Sequence, residues 1–181
     1  MSEMQETGGR LSKEAAVVRP LDRKNTALLK SMIGLFEQGQ EPHHQSFPQH
    51  FGPAVNRPAI SAYLQGFLKP RNPFRSRYGF AKGLFIKDDL VGYLLYRLSE
   101  INDIFYGKPR WHCHIEDIVV HERARGLGGA SALMDALLDE LSPLGECAIS
   151  GIVWSGNSAS QALFQKQGFN PLSQSFYKVI S

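Results

Sequence analysis

The chain predicts a mixed β-sheet with helices packed on its faces, an α+β (α/β sandwich) fold. Three observations carry that expectation. Stretches with strand and helix patterning follow one another in the order β-α-α-β-β-β-α-β-α-β. Ala130, Leu133, Met134, Leu137, Leu138 and Leu141 recur at helical spacing and line one face of a long amphipathic helix. An apolar strand runs into the glycine-rich turn Arg125–Gly129 directly ahead of that helix.

Composition bounds the answer. The 181 residues suffice for one domain, and 43% hydrophobic with 20% charged residues is globular composition. A net charge of +3 is too small to imply a nucleic-acid partner, yet it suits a ligand that carries phosphates. The longest apolar runs, such as Val91–Tyr96, fall far short of the roughly 20 residues that cross a bilayer, so no membrane role is expected. Cys113 and Cys147 lack CxxC or metal-binding spacing, which predicts free thiols in a reducing compartment. Met1–Glu14 is polar and has no apolar signal core, so residues 1–14 are expected to be a disordered tail on a cytoplasmic protein. Residues 15–181 are expected to form a single domain.

The elements follow in order. Ala15–Arg19 predicts a short opening strand that Pro20 ends. Leu28, Met32, Leu35 and Phe36 predict a helix that stops at Gly39. Six of the ten prolines fall between Pro42 and Pro73, with His43, His44 and His50 among them, so this stretch cannot be one regular element. One helix fits inside it, capped by Asn56, with Pro58 in its first turn and Ile60, Tyr63, Leu64, Phe67 and Leu68 on one face. A basic patch follows at Lys69, Arg71, Arg75 and Arg77, read either as a solvated loop or as a contact for phosphate or an acidic acceptor.

Tyr78–Leu98 predicts a hairpin turning at Lys87-Asp88-Asp89. Trp111–Val120 is the next strand, and Pro143 with Gly145 stops the long helix after it. Cys147–Trp154 predicts a further strand. Asn157 or Ser158 caps a shorter helix that turns Ala162 and Leu163 inward and ends at Gly168. Phe176–Ile180 is expected to close the sheet. Trp111 and Trp154 are expected in the core or in pocket walls.

Arg123, Gly126 and Gly128 form the pattern Arg-x-x-Gly-x-Gly between a strand and a helix. Backbone N–H groups of such a turn converge at the positive end of the helix dipole, and glycine lets a phosphate reach them without meeting a Cβ. A pyrophosphate suits that nest. No Lys follows as a P-loop requires, and Ser131 stands where a dinucleotide fingerprint needs its third glycine. A plain left-handed turn is the competing reading.

Taken with its flanks, the turn resembles the acetyl-CoA signature of the GCN5-related N-acetyltransferase (GNAT) superfamily. The strand LVGYLLYRL at 90–98 resembles the third strand of that family, and IEDIVV at 115–120 resembles its fourth. Asn157 together with Ala162-Leu163-Phe164-Gln165-Lys166-Gln167-Gly168-Phe169 is similar to its closing motif. The likeness spans about residues 15–180 and is strongest from about 79 onward. It implies a mostly antiparallel central sheet with helices on both faces. It also implies acetyl-CoA as cosubstrate without a metal, a small-molecule amine as acceptor, and a variable acceptor side at 40–78. Homodimers are common in the family. Ile115-Glu116-Asp117 is similar to the diamine and polyamine acetyltransferases, a likeness carried by those three residues.

By this resemblance the backbone of Ile118, Val119 and Val120 pairs with the pantetheine arm as an added strand would. Val119 N–H is a candidate for the thioester oxygen. Arg123, Ala124, Arg125, Gly126, Leu127, Gly128 and Gly129 hold the pyrophosphate, and Asn157 bonds the arm near the thioester. Glu116 takes the general-base position, with Asp117 as the second candidate. Strand alternation would separate the two, placing Glu116 with His112, His114, Ile118 and Val120 on one face and Asp117 with Cys113, Ile115 and Val119 on the other.

His112, His114 and Glu116 stand about 6.6 Å apart along a strand, which is wide for one metal. Phe164 occupies the place of the family's acidic Tyr and has no proton to give. That keeps a non-catalytic acyl-CoA-binding module open as an alternative; a transferase acting on a protein N-terminal or lysine amine, which needs an open groove between residues 40–78 and the last strands, is another. Ser158 and Tyr177 are candidates to replace the missing acid.

Overall fold

A computed structural model describes residues 16–21, 26–52, 56–68, 78–100, 111–176 and 178. The described residues form β1 (Ala16–Pro20), α1 (Thr26–Ser46), α2 (Arg57–Leu68), β2 (Tyr78–Ile86), β3 (Asp89–Glu100), β4 (Trp111–Val120), α3 (Gly129–Leu141), β5 (Cys147–Gly151) and α4 (Ser158–Lys166). One sheet runs in chain order from β1 to β5, antiparallel throughout except for β4 against β5. The expected α+β architecture is therefore present, mostly antiparallel.

Each face buries its own core. Met32 and Leu35 of α1 with Ile60, Leu64, Phe67 and Leu68 of α2 cover Tyr93, Leu95 and Val119. Leu133, Met134, Leu137 and Leu141 of α3 cover the opposite face against Leu94, Tyr96, Cys113 and Ile115. Neighbours Leu94 and Leu95 are both fully buried, on opposite faces, which is why β3 reads as a continuous apolar run. Each such side chain stabilises the fold by roughly 1.5–3 kcal/mol. The buried Lys82 ammonium is paired with Glu140, which also accepts from the Tyr96 hydroxyl and ties α3 to the sheet. No described helix is long and apolar enough to cross a membrane.

Three expectations need correction. The first helix does not stop at Gly39 but runs to Ser46 through Pro42, and it carries His43 and His44 in its last turn. Gly39 is a point of close approach: a Cβ there would stand 2.9 Å from Val119 Cγ2. Pro42 lies inside the helix, where it gives up its own donor in the ladder. Strand β5 ends at Gly151, short of Trp154. Ala162 is exposed, and Leu163 with Phe164 packs inward instead.

At the C-terminus, Phe176 and Lys178 lie in no strand, while Tyr177, Val179 and Ile180 fall outside the described residues. The 1–14 tail and the basic patch at Lys69, Arg71, Arg75 and Arg77 also fall outside them.

Candidate active site

The site is built where β4 and β5 part company. Their parallel ladder covers Trp111↔Cys147 to Ile115↔Gly151 and then stops, because β5 ends while β4 continues to Val120. Beyond Ile115, the side of β4 that faces away from β3 has no strand partner among the described residues. A cavity of about 600 Å³ opens along it. Glu116, Asp117, Ile118, Val119 and Val120 form one wall, and Trp154, Asn157 and Phe164 form the other. Residues of α1 and Tyr63 of α2 close it from the side.

A β-bulge decides where the carboxylates point. Asp117 pairs with Leu95 and Ile115 with Tyr96, which leaves Glu116 as the extra residue. Alternation therefore restarts at the bulge, and the expected separation of Glu116 from Asp117 fails. Ile115, Ile118 and Val120 pack on the α3 side. Glu116 reaches Arg97, whose guanidinium lies 4.7 Å over the Phe67 ring of α2, and Asp117 reaches the hydroxyl of Tyr93 in the α1/α2 core. Both acids share the α1/α2 face.

Their surroundings differ. Arg97 Nε donates to Glu116 Oε1 at 2.5 Å. Asp117 accepts from Tyr93 Oη at 2.7 Å, and the Ile118 N–H also donates to it. Burial nonetheless raises the Asp117 carboxyl from an ordinary 3.8 to about 6, opposed by those two hydrogen bonds and helped by the nearby Glu116 charge. Asp117 as a residue is half-buried and lines the cavity. Burial, with the charges of Asp117 and Glu116, holds the Tyr63 hydroxyl well above its ordinary value, so it remains a neutral donor on the cavity wall.

At the far end, β4 passes into a single helical turn, Glu122–Ala124, and then the glycine loop. Gly126 and Gly128 take φ of +72° and +84°, which L side chains rarely adopt. Gly128 is the N-cap of α3, so the free N–H groups of the first turn of α3 open toward the loop. Arg125 and Ala130 line the cavity. Arg123, Gly126, Leu127 and Gly128 stand beyond its end, and Ala124 and Gly129 are buried beneath the loop, able to offer only backbone. Arg123 is exposed and pairs with Asp89 at 3.1 Å. Asn157 Oδ1 caps α4 by accepting from Ser160 N at 3.0 Å.

Phe164 packs on Phe169 with centroids 4.9 Å apart and fits against Gly151, where a Cβ would come within 2.8 Å of its ring. His112 and His114 do not face the cavity; both bond Ser150 Oγ, at 2.8 and 2.9 Å.

The family model for GNAT acetyltransferases matches residues 43–169. The chain belongs to the GNAT acetyltransferase family. Solved GNAT-fold structures support the same architecture. A point mutant of the BH1408 protein from Bacillus halodurans has a TM-score of 0.73 at 17% identity, covering 91% of this chain and 99% of that one. The aminoglycoside N-acetyltransferase AAC(6')-Iy in complex with CoA has a TM-score of 0.66 at 16% identity, covering 91% and 94%. The aminoglycoside acetyltransferase AAC(6')-IG from Acinetobacter haemolyticus has a TM-score of 0.65 at 13% identity, covering 91% and 98%. None of the curated proteins matches the chain in sequence.

Nothing in the sequence pattern marks Tyr93 or Tyr63 as more than core residues, and Arg97 joins them at the site only through the fold. A single Arg in the apolar strand LVGYLLYRL was the available signal for Arg97. The spacing of the two tyrosines is that of ordinary core residues.

Proposed function

We propose that the chain catalyses acetyl-CoA-dependent N-acetylation of a small primary amine, with Asp117 as the general base. The carrying observation is the β4 bulge: it sets Asp117, tuned to about 6, on the wall of a cavity that begins at the α3 N-terminus. A base with that value is ionised near pH 7 and still able to accept a proton.

The described residues fit the cosubstrate. The unpaired side of β4 offers backbone donors and acceptors to the amide groups of a pantetheine arm. The loop Arg123–Gly129 and the first turn of α3 suit a pyrophosphate. Asn157 Oδ1 is used in capping, which leaves its Nδ2 donor for a ligand carbonyl. Acetyl-CoA supplies the acyl carbon and a thiol leaving group. An amine reaches the cavity as an ammonium, since its ordinary pKa is about 10. Asp117 pairs with that cation and takes its proton, and the freed lone pair attacks. Glu116 adds negative potential while Arg97 holds its carboxylate.

Phe164 supplies no proton. A thiol of the cysteine class has a pKa near 8.5 and leaves as thiolate without much help. Packing against Gly151 and Phe169 accounts for Phe164.

The test follows free thiol release from acetyl-CoA with a panel of primary amines, alongside calorimetric titration of coenzyme A. Release with at least one amine, lost in Asp117→Asn while coenzyme A still binds, is the expected result. Coenzyme A binding without release for any amine would favour the binding-module reading and overturn this one.

A further inference from the structure

We propose that the acceptor is a primary amine with one positive charge on a flat aromatic body, held between Asp117 and the rings of His43, Phe47, Phe51 and Trp154. This rests on the transferase reading above and names its substrate class.

Four rings line the same cavity as the two carboxylates. Phe51 meets Trp154 edge to face, with centroids 4.6 Å apart at 87°. His43 lies 5.5 Å from Phe51, and Phe47 lies 6.2 Å from Trp154. None of the four belongs to either core. All are half-buried, so they keep ring surface at the cavity after folding is complete. Burial lowers the His43 pKa, so that ring is neutral near pH 7 and does not repel an ammonium. Such a wall favours a flat partner, because aromatic rings prefer edge-to-face or offset contact with another ring.

Charge narrows the class further. Glu116 and Asp117 are the only acids lining the cavity among the described residues, and Glu116 is engaged by Arg97. That leaves one carboxylate for one ammonium. A polyamine or an aminoglycoside brings several ammoniums, and each one desolvated without a partner is penalised. The structure thus points away from the polyamine likeness of Ile115-Glu116-Asp117.

The experiment compares kcat/KM for 2-phenylethylamine, methylamine, spermidine and kanamycin by thiol release. The expected result is a preference of tenfold or more for 2-phenylethylamine over each of the others. Trp154→Ala is expected to raise the KM for 2-phenylethylamine at least tenfold and collapse its advantage over methylamine, with Trp154→Phe recovering most of both. Should Trp154→Ala fail to fold, Phe51→Leu tests the same wall. Fastest release with spermidine or kanamycin leaves the transferase reading standing and overturns the aromatic acceptor. So does an equal loss for 2-phenylethylamine and methylamine in the ring variants. No release with any of the four amines overturns the aromatic acceptor, and if a wider amine panel is equally silent while coenzyme A binds, the transferase reading falls too.

Discussion

Replacing Tyr93 by Phe isolates the hydrogen bond that tunes Asp117. Tyr93 is fully buried, so the change removes one hydroxyl and leaves the ring packing in place. The lost bond is a 2.7 Å contact from a phenol to a carboxylate. Hydrogen bonds to charged groups are worth about 1.5–3 kcal/mol, and one pKa unit corresponds to about 1.4 kcal/mol, so the Asp117 carboxyl should rise by about one to two units. Starting from about 6, it would reach about 7 to 8. The acid limb of kcat/KM against pH, read by thiol release between about pH 5 and 9, moves up by the same amount. At pH 7 the ionised fraction, and with it kcat/KM, falls about two- to tenfold and is recovered at higher pH. A folded Tyr93→Phe protein whose acid limb stays at the wild-type value would refute Asp117 as the base.

Three other perturbations have defined outcomes. Asp117 binds its proton more tightly when folded, so its stabilising effect is complete below pH 3.8 and is lost as pH rises through about 6. The unfolding free energy from urea titrations should fall over that window by up to about 3 kcal/mol in wild type, and Asp117→Asn should remove this contribution. Gly128→Val forces a branched side chain to φ +84° and should lower stability by about 1–2 kcal/mol while weakening coenzyme A binding at least tenfold by calorimetry. Gly39→Leu drives a side chain into Val119, and it should lower stability by about 1–3 kcal/mol in thermal melts and reduce coenzyme A affinity by shifting α1 away from β4.

Much of this architecture was legible because local chemistry and tertiary context agree. The Ala130–Leu141 face, the Asn56 and Asn157 caps and the Gly126/Gly128 turn each rest on a rule that acts within a few residues, and each appears where it was expected. Gly39 was misread because two physical demands produce one residue type. A glycine marks a helix end in isolation, but here it makes room for Val119, a contact set by packing across the sheet. The stop of β5 at Gly151 was equally hidden: Ile152 and Val153 are as strand-like as the residues before them, yet only separation from β4 ends the ladder.

The bulge at Glu116 was the least readable feature and organises the most. Strict alternation would have sent Glu116 and Asp117 to opposite faces and the cavity would have held one of them. One extra residue in β4 turns both toward α1 and α2 and restarts alternation, so that Val119 still reaches the α1/α2 core while Ile118 packs on the α3 side. The parallel ladder to β5 ends at Ile115, the residue just before the bulge. A local increase in strand twist accompanies a bulge and works against continued pairing with a neighbouring strand. The bulge that turns both acids thus lies at the residue where the opening beside β4 begins. A strand without the bulge would turn Asp117 to the α3 side and separate its carboxylate from the rings that line the cavity.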